Sequence, residues 1–380
     1  MHAEPAVIAN ATLTVDLDAL AANYRSLAEC CAPASLAAVV KADGYGLGAA
    51  PVSAALATAG CRHFFVAQLS EAVALAPSLP GDAALYVLNG LHAGSEPACA
   101  AIGAIPVLNS LDQIDRWSAE AASHGRRLPA VLQVDSGMGR LGLPPGEVAI
   151  LLAEPERLAG VDLTLVMSHL ACADHPDAPS NAAQLAAFTA LADLFPGIPR
   201  SLDNSAGILL PRQHFDMARA GIALYGGAPL IGVPGSTRAV VRLEAPIVQV
   251  REIAAGAGVG YGLTSVADHP RTIATIAVGY ADGWPRSLGN AGSAFVAGTR
   301  VPIVGRVSMD SITLDVTGLA RTAIVPGAPV ELLGPHQGID DVAADAGTIA
   351  YELLTRLGHR YARTYVGAHG VGVHGRQTGA

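Results

Sequence analysis

Eight short apolar runs between residues 36 and 225, each followed by a turn and an amphipathic stretch, predict an α/β chain that opens with a (β/α)8 TIM-like barrel. After residue 240 the period changes to alternating strands between Gly-rich turns, which predicts a mainly β C-terminal domain. Polar residues stand at the ends of the eight runs, where a barrel of this kind builds its active site.

In order, the predicted barrel strands are 36–41, 62–67, 84–88, 105–109, 129–135, 163–169, 200–204 and 217–224. At or just past their ends lie Lys41, Asn89, Asn109, Asp135, His169, Asn204 and Tyr225. This ring reads as a site, with some members serving as loop caps. Helical patterns fill the intervals; the clearest is 181–194, N-A-A-Q-L-A-A-F-T-A-L-A-D-L, with apolar residues at three-and-four spacing. The Gly- and Pro-rich stretch 226–238 is a linker by composition. Beyond it the sequence predicts strands at 241–250 and 272–278, a helix over 339–357 and a last strand near 362–366. The expected division is a barrel over 12–235 and a β domain over 236–380, with residues 1–11 associated with the latter.

Composition narrows the function. Of the 380 residues 51% are apolar and 14% charged, so a large core is available and disorder is not expected. The net charge of −9, with no basic run, argues against nucleic acid or an anionic membrane as partner. Five cysteines without a C-x-x-C pair indicate neither a disulfide framework nor a zinc site, and no metal is expected. The first twenty residues carry Glu4, Asp16 and Asp18 and lack the pattern of a signal peptide, so a cytoplasmic location is the expectation. The longest uncharged runs, 44–61 and 220–237, hold Gly and Pro and do not read as membrane spans.

One residue type is rationed. Lys41 is the only lysine; the remaining 22 of the 23 Lys and Arg residues are arginines. Arginine cannot lose its proton to attack a carbonyl. An amine at the end of a buried strand can, because desolvation lowers its pKa. A solitary surface lysine is the bland alternative, but Val39 and Val40 beside it make an unpaired ammonium costly. Lys41 is the candidate Schiff-base lysine. The following G-Y-G-L-G-A (44–49) lacks the spacing of a dinucleotide-binding fingerprint.

Further segments complete a pattern: T-V-D-L-D-A-L-A-A-N-Y-R (14–25), V-V-K-A-D-G-Y-G (39–46), V-D-S-G-M-G-R-L-G (134–142), S-H-L-A-C-A-D (168–174) and D-N-S-A (203–206). Then come M-A-R-A-G-I-A-L-Y-G (217–226), G-V-G-Y-G (258–262), G-Y-A-D-G-W-P-R (279–286), V-G-R-V-S-M-D (304–310) and T-I-A-Y-E (348–352). In order and spacing the chain resembles the alanine racemase family, fold-type III enzymes that use pyridoxal phosphate. The resemblance implies that Lys41 holds the cofactor and serves as base on the D side of Cα, with Tyr261 as base on the L side. His169 and Arg219 would link Tyr261 to the cofactor, Arg219 facing its pyridine nitrogen. Tyr45, Asn204, Ser205, Tyr351 and the amides of Gly221 and Ile222 would bind the cofactor, mostly at its phosphate. Arg140 would reach the cofactor and the substrate carboxylate, which the Met309 amide also holds. The resemblance further implies a homodimer in which Tyr261 and the Met309-Asp310 segment complete the partner's site. It implies racemisation of L- and D-alanine to supply peptidoglycan precursors.

Read singly, several of these residues have plainer roles. Tyr261 in a Gly-rich loop reads as turn packing, His169 as a satisfied histidine at a strand end, and Asn204-Ser205 as a helix cap. Arg219 among apolar residues must find an anion or an acceptor. Two positions depart from the family pattern. Gln133 stands where many members carry a carbamylated lysine, so Arg140 loses an anionic neighbour and a small anion such as chloride is expected beside it. Ser308 stands where many carry cysteine. A racemase preferring serine or a broad range of amino acids is the close alternative; a decarboxylase of the same fold type and a non-catalytic cofactor-binding barrel are more distant.

Overall fold

The computed structural model describes residues 11–212, 214–233 and 237–367. Residues 1–10 and 368–380, which the expected domain limits include, lie outside the described residues. Strand β1 (Thr12–Asp16) and the helix Leu17–Cys31 come first. Eight strands follow: β2 (Ser35–Val39), β3 (His63–Val66), β4 (Ala84–Val87), β5 (Ile105–Leu108), β6 (Leu128–Gln133), β7 (Val161–Met167), β8 (Arg200–Ser201) and β9 (Met217–Ala220).

Each predicted run becomes one of these strands, usually with its end trimmed where the chain turns. The strands pair in parallel in the order β8-β7-β6-β5-β4-β3-β2-β9. At the remaining seam Asp216 N donates to Arg200 O at 3.0 Å and Arg219 N to Asp203 O at 2.9 Å, which nearly closes the barrel. Both faces of such a sheet are covered, so the strands are continuous apolar runs and not alternating ones. Phe64, Phe65, Val66, Val107, Val131 and Val166 are fully buried. Each contributes about 1.5–3 kcal/mol relative to exposure. The helix expected at 181–194 forms as Pro179–Ala192, with proline in its first turn, where an amide would have no helical partner.

Residues 20–224 with 228–238 make one compact unit; the described parts of 1–19 and 239–380, with 225–227, make a second. The barrel thus starts near residue 20 and not at 12. The alternation of β1 buries Leu13 and Val15, and that strand joins the second unit. It pairs antiparallel with β10 (Val241–Ile253), register Thr12 to Glu244, and parallel with the C-terminal β18 (Ala362–Val366), register Thr12 to Ala362.

Between these lie a ribbon of β11 (Gly258–Val259) and β12 (Ser265–Val266), then β13 (Arg271–Ile276), β14 (Ser293–Val296), β15 (Thr299–Pro302), β16 (Ile312–Asp315) and β17 (Pro329–Leu333). The main path is β15-β14-β17-β10-β1-β18, and β13 pairs with β10 and β16. A register shift between Ile247 and Gln249 bends β10 so that its second half carries β13. The helix predicted over 339–357 is two, Ile339–Ala346 and Ala350–Arg356. Gly347 at φ +70° ends the first, a left-handed stop that only glycine takes cheaply.

Within the barrel unit, Asn23 holds the returning chain. Its Nδ2 donates to Leu224 O (3.1 Å) and Arg238 O (2.9 Å), and its Oδ1 accepts from Arg238 N (2.7 Å). The side chain is almost fully buried, so truncation strands three polar groups. Asn23→Ala is expected to lower unfolding free energy by about 2–4 kcal/mol in urea denaturation; a loss under about 0.5 kcal/mol would show that water replaces these bonds.

Candidate active site

β2 delivers Lys41 to the barrel mouth. Val40 N still donates to Phe65 O at 2.8 Å, and then the chain leaves the sheet abruptly. Ala42, Asp43, Gly44 and Tyr45 all have positive φ, between 54° and 61°. For a residue bearing Cβ this region costs on the order of 1–2 kcal/mol. Local bonds offset that cost. Asp43 Oδ1 accepts from Ala49 N at 2.8 Å, Gly46 N donates to Ala42 O at 2.7 Å, and Ala42 N donates to Glu71 Oε1 at 2.5 Å. Burial depresses the pKa of the half-buried Lys41 amine, the positive charge of Arg140 depresses it further, and Glu71 opposes both. Glu71 has no place in the sequence-level site. Its signal, Gln68 as N-cap and Glu71 as third residue of the helix Leu69–Leu75, reads simply as a helix start.

Arg219 projects from β9 and is only 3% exposed. Its Nη2 donates to Ser168 O (2.7 Å) and Leu202 O (3.4 Å) and meets His169 Nδ1 at 3.3 Å; its Nη1 donates to Ser201 Oγ. Burial lowers its pKa to about 10, with Asp203 opposing, so it stays protonated near neutral pH. A guanidinium only donates, so His169 Nδ1 must accept and the ring proton sits on Nε2. Burial first, then Arg219, Arg140 and Lys41, push the His169 pKa down to about 3. The imidazole is therefore neutral, with one donor pointing away from Arg219.

Beside this pair the β8 and β9 ends form a cradle. Ser205 Oγ accepts from Gly221 N at 2.8 Å and Ala223 N at 3.4 Å. A Cβ on Gly221 would lie 2.3 Å from Tyr45 Oη, so glycine there lets the phenol reach the backbone. A 3-10 turn begins at Ile222, and Ser205 Oγ gathers the amides of Gly221 and Ala223 on either side of that residue. Asn204 shapes this turn: its Oδ1 accepts from Gly207 N at 2.9 Å and its Nδ2 donates to Leu170 O at 3.4 Å.

The loop after β6 presents Arg140, which is exposed. Asp135 Oδ1 accepts from Gly137 N, Met138 N and Gly139 N, and these amides hold its carboxyl below the usual range despite burial. Leu143 N donates to Gln133 O at 2.9 Å to close the loop, and Gln133 is buried at its base. Asn109 closes a turn, donating to Leu88 O and Val107 O, while Asn89 lends its carbonyl to Gln113. Tyr225 is fully buried.

Tyr261, Ser308, Met309, Asp310 and Tyr351 belong to the second unit. Tyr261 sits between β11 and β12, flanked by Gly260 (φ +70°) and Gly262 (φ +73°), and is 72% exposed. Its ribbon rests on a small core of Val259, Ile273 and Val304. Asn290 braces it, accepting from Gly305 N at 2.6 Å and donating to Thr264 Oγ1 at 3.0 Å. Met309, 52% exposed, is held by its backbone: Ala281 N donates to Met309 O and Tyr280 N to Ser308 O, each at 3.0 Å. Gly279 must be glycine, since a Cβ would lie 2.3 Å from both carbonyl oxygens. Asp310 pairs with Arg360 Nη1 at 2.7 Å, and Arg360 Nε reaches buried Asp282 at 3.0 Å. Tyr351 is exposed.

Known families match this arrangement along almost the whole chain. A model described as alanine racemase, N-terminal domain, matches residues 15–229, and one described as alanine racemase, C-terminal domain, matches 240–365. The chain belongs to the alanine racemase family. A catabolic alanine racemase of Agrobacterium fabrum is 52% identical over 94% of this chain and 92% of its own. An alanine racemase of Brucella canis is 52% identical over 96% of each. The solved structure of alanine racemase from Bartonella henselae, described as having covalently bound pyridoxal phosphate, is 44% identical with a TM-score of 0.91, covering 94% of this chain and 100% of that one. Membership in the alanine racemase family makes the chain an amino-acid racemase, an isomerase. Among the described residues no cluster of metal ligands occurs, and no helix is long and apolar enough to cross a membrane.

The neutral state of His169 is testable. A group whose folded pKa lies below its unfolded value stabilises the fold fully above about pH 6.5. That contribution declines as pH falls toward about 3. Ring NMR signals of His169 are expected not to titrate between about pH 5 and 8; a midpoint near the free value would show that burial and the neighbouring cations do not hold it neutral.

Proposed function

We propose that the chain interconverts L- and D-alanine with pyridoxal phosphate, using Lys41 as base on the D face and Tyr261 of the partner subunit on the L face, and so supplies D-alanine for peptidoglycan. Lys41 carries this reading: the chain's one lysine side chain lies at a barrel mouth where burial and Arg140 depress its pKa.

The barrel residues fit the cofactor. Ser205 Oγ, the amides of Gly221 and Ile222 and the Tyr45 hydroxyl would hold the phosphate as an uncharged cradle, with Asn204 shaping the turn and Tyr351 as a further phosphate ligand. Bound pyridoxal phosphate would supply a carbonyl for amine condensation and an electron-withdrawing ring that acidifies Cα–H. Arg219 would face the ring nitrogen of the bound cofactor as a donor that keeps its proton, which would keep electron withdrawal mild. Arg140 and the Met309 amide hold the substrate carboxylate. Lys41 Nζ takes or returns the Cα proton on one face and Tyr261 Oη does so on the other, because a fixed single base regenerates the hand it started from. A phenol of pKa ~10 needs help to do this. The His169 Nε2 proton, backed by Arg219, would stabilise the phenolate. Asp310, through Arg360 and Asp282, keeps the Met309 segment in place, and Ser308 leaves that segment without a thiol.

The exposed surface of the second unit supports a homodimer. Tyr261, Leu263, Val266, Met309, Tyr280 and Ile349 are large apolar groups left exposed on that unit. A second copy, self-complementary about a two-fold axis, would cover them.

Lys41→Ala should abolish both racemisation and the visible absorbance of the bound cofactor. Tyr261→Phe should keep the absorbance, slow turnover by roughly 10²-fold or more and lose Cα hydrogen exchange on L-alanine. Mixing the two inactive variants under exchange conditions should restore activity, since half the hybrid sites hold both wild-type residues. No recovery despite proven exchange would place Tyr261 in its own subunit's site. Circular dichroism with L-alanine and with L-serine reads both rate and preference.

Gln133 cannot supply the negative charge that a carbamylated lysine would. A halide is therefore expected beside Arg140 and Gln133, visible by anomalous scattering from a crystal grown in bromide. Water alone at that position would remove the anion from this account.

A further inference from the structure

Lys41 is held by a residue that the two-base reading does not use. Glu71, half-buried in the first turn of the helix Leu69–Leu75, gathers three amides from two separate turns. Its Oε1 accepts from Ala42 N at 2.5 Å. Its Oε2 accepts from Ala67 N at 2.7 Å and Gln68 N at 3.1 Å. The first of these follows Lys41 directly and begins the five-residue left-handed run that ends at Gly46; the other two lie just past the end of the neighbouring strand β3. A capping glutamate needs only the Gln68 contact. The bond to Ala42 ties the helix start to the backbone that aims the catalytic amine.

We infer that Glu71 is a positioning residue for Lys41: it clamps the left-handed turn after the lysine to the end of β3, and it presents a carboxylate to an amine that otherwise faces the Arg140 cation. The inference rests on Lys41 being the reactive amine of the proposed reaction. The titratable groups facing Lys41 are Arg140 from the loop after β6, His169 from the end of β7, and Glu71; Asp43, in the lysine's own turn, is engaged with Ala49 N. Of these, His169 is neutral and Arg140 pushes the amine toward its free-base form, so Glu71 opposes that push. A glutamine in its place offers one acceptor oxygen and one amino group. Whichever oxygen it keeps, at least one of the three amides then faces another donor.

The single lysine makes the test site-specific. The full chain and its Glu71→Gln and Glu71→Asp variants, freed of cofactor, are pulsed with acetic anhydride across a pH series. Acetylation of the Lys41 peptide is read by mass spectrometry. In Glu71→Gln the midpoint for Lys41 should fall by about half a unit or more, because the opposing charge is gone. Amide exchange over residues 41–45 should rise several-fold, while exchange in the barrel strands stays as in the parent. Glu71→Asp keeps the charge but is one methylene short of bridging the two turns. It should hold the midpoint closer to the parent value while still loosening the turn. Unchanged midpoint and unchanged exchange at 41–45 in folded Glu71→Gln would overturn the inference and leave Glu71 a helix cap. Loosening that spreads through the whole barrel would overturn it too, as a general stability effect. Failure of the parent chain to take up pyridoxal phosphate would instead sink the functional reading, and the acetylation and exchange results would stand apart from it.

Discussion

The barrel mouth is governed by one electrostatic constraint: several basic groups are crowded into a partly dry space with little negative charge to balance them. Arg219 is buried against carbonyls, a hydroxyl and an imidazole, all neutral, and its guanidinium keeps its proton because its intrinsic pKa is so high. Something else must yield. Desolvation and the neighbouring cations act with the same sign on Lys41 and His169, and both move toward their neutral forms. For the same reason the lone amine is pushed toward its free base and the imidazole is held neutral in one tautomer. A second lysine in this space would be pushed in the same way and would compete for the same chemistry; the chain has none.

Much of the barrel is legible in the sequence because a strand buried on both faces must be an uninterrupted apolar run, and eight such runs stand clear of their turns. What is not legible is partnership. The segment T-L-T-V-D reads correctly as extended, yet nothing local tells that it pairs with residues 241–244 and 362–366 and not with the barrel strands that follow it. The helix over 339–357 fails for a different reason. Its apolar spacing continues through Gly347, and a glycine inside a periodic stretch can be tolerated or can reverse the chain; here it takes the left-handed conformation and ends the first helix.

The site divides along similar lines. Lys41 and Arg219 announce themselves by residue type, one because it is solitary and the other because a charge amid M-A-R-A-G-I-A must be satisfied indoors. Asn89, Asn109 and Asp135 stand at equivalent strand ends but help to close their own turns, Asp135 most fully, with three amides on one carboxylate. A short polar side chain after a strand has two outlets, its own loop or a ligand, and sequence cannot choose between them. Glu71 is the converse. Its local capping pattern is complete in itself, so its second oxygen, directed at a residue 29 positions earlier, leaves no trace in the pattern.

Two glycines show how closely the backbone has been brought to the chemistry. Gly221 lets the Tyr45 hydroxyl approach to a distance that any side chain would block, and Gly279 lets the turn at Tyr280 grip the carbonyls of Ser308 and Met309. In both places the element presented is stiffened from behind, and its working group points outward. The ribbon bearing Tyr261 follows the same logic: glycines on either side set the turn, and Val259, Ile273 and Val304 anchor its base, while the phenol itself stays in solvent. A phenol that merely packed a turn would fold back onto that small core. One held out on a braced backbone has its point of attachment set before anything meets it, and a base delivered to a neighbour's site would require such a support.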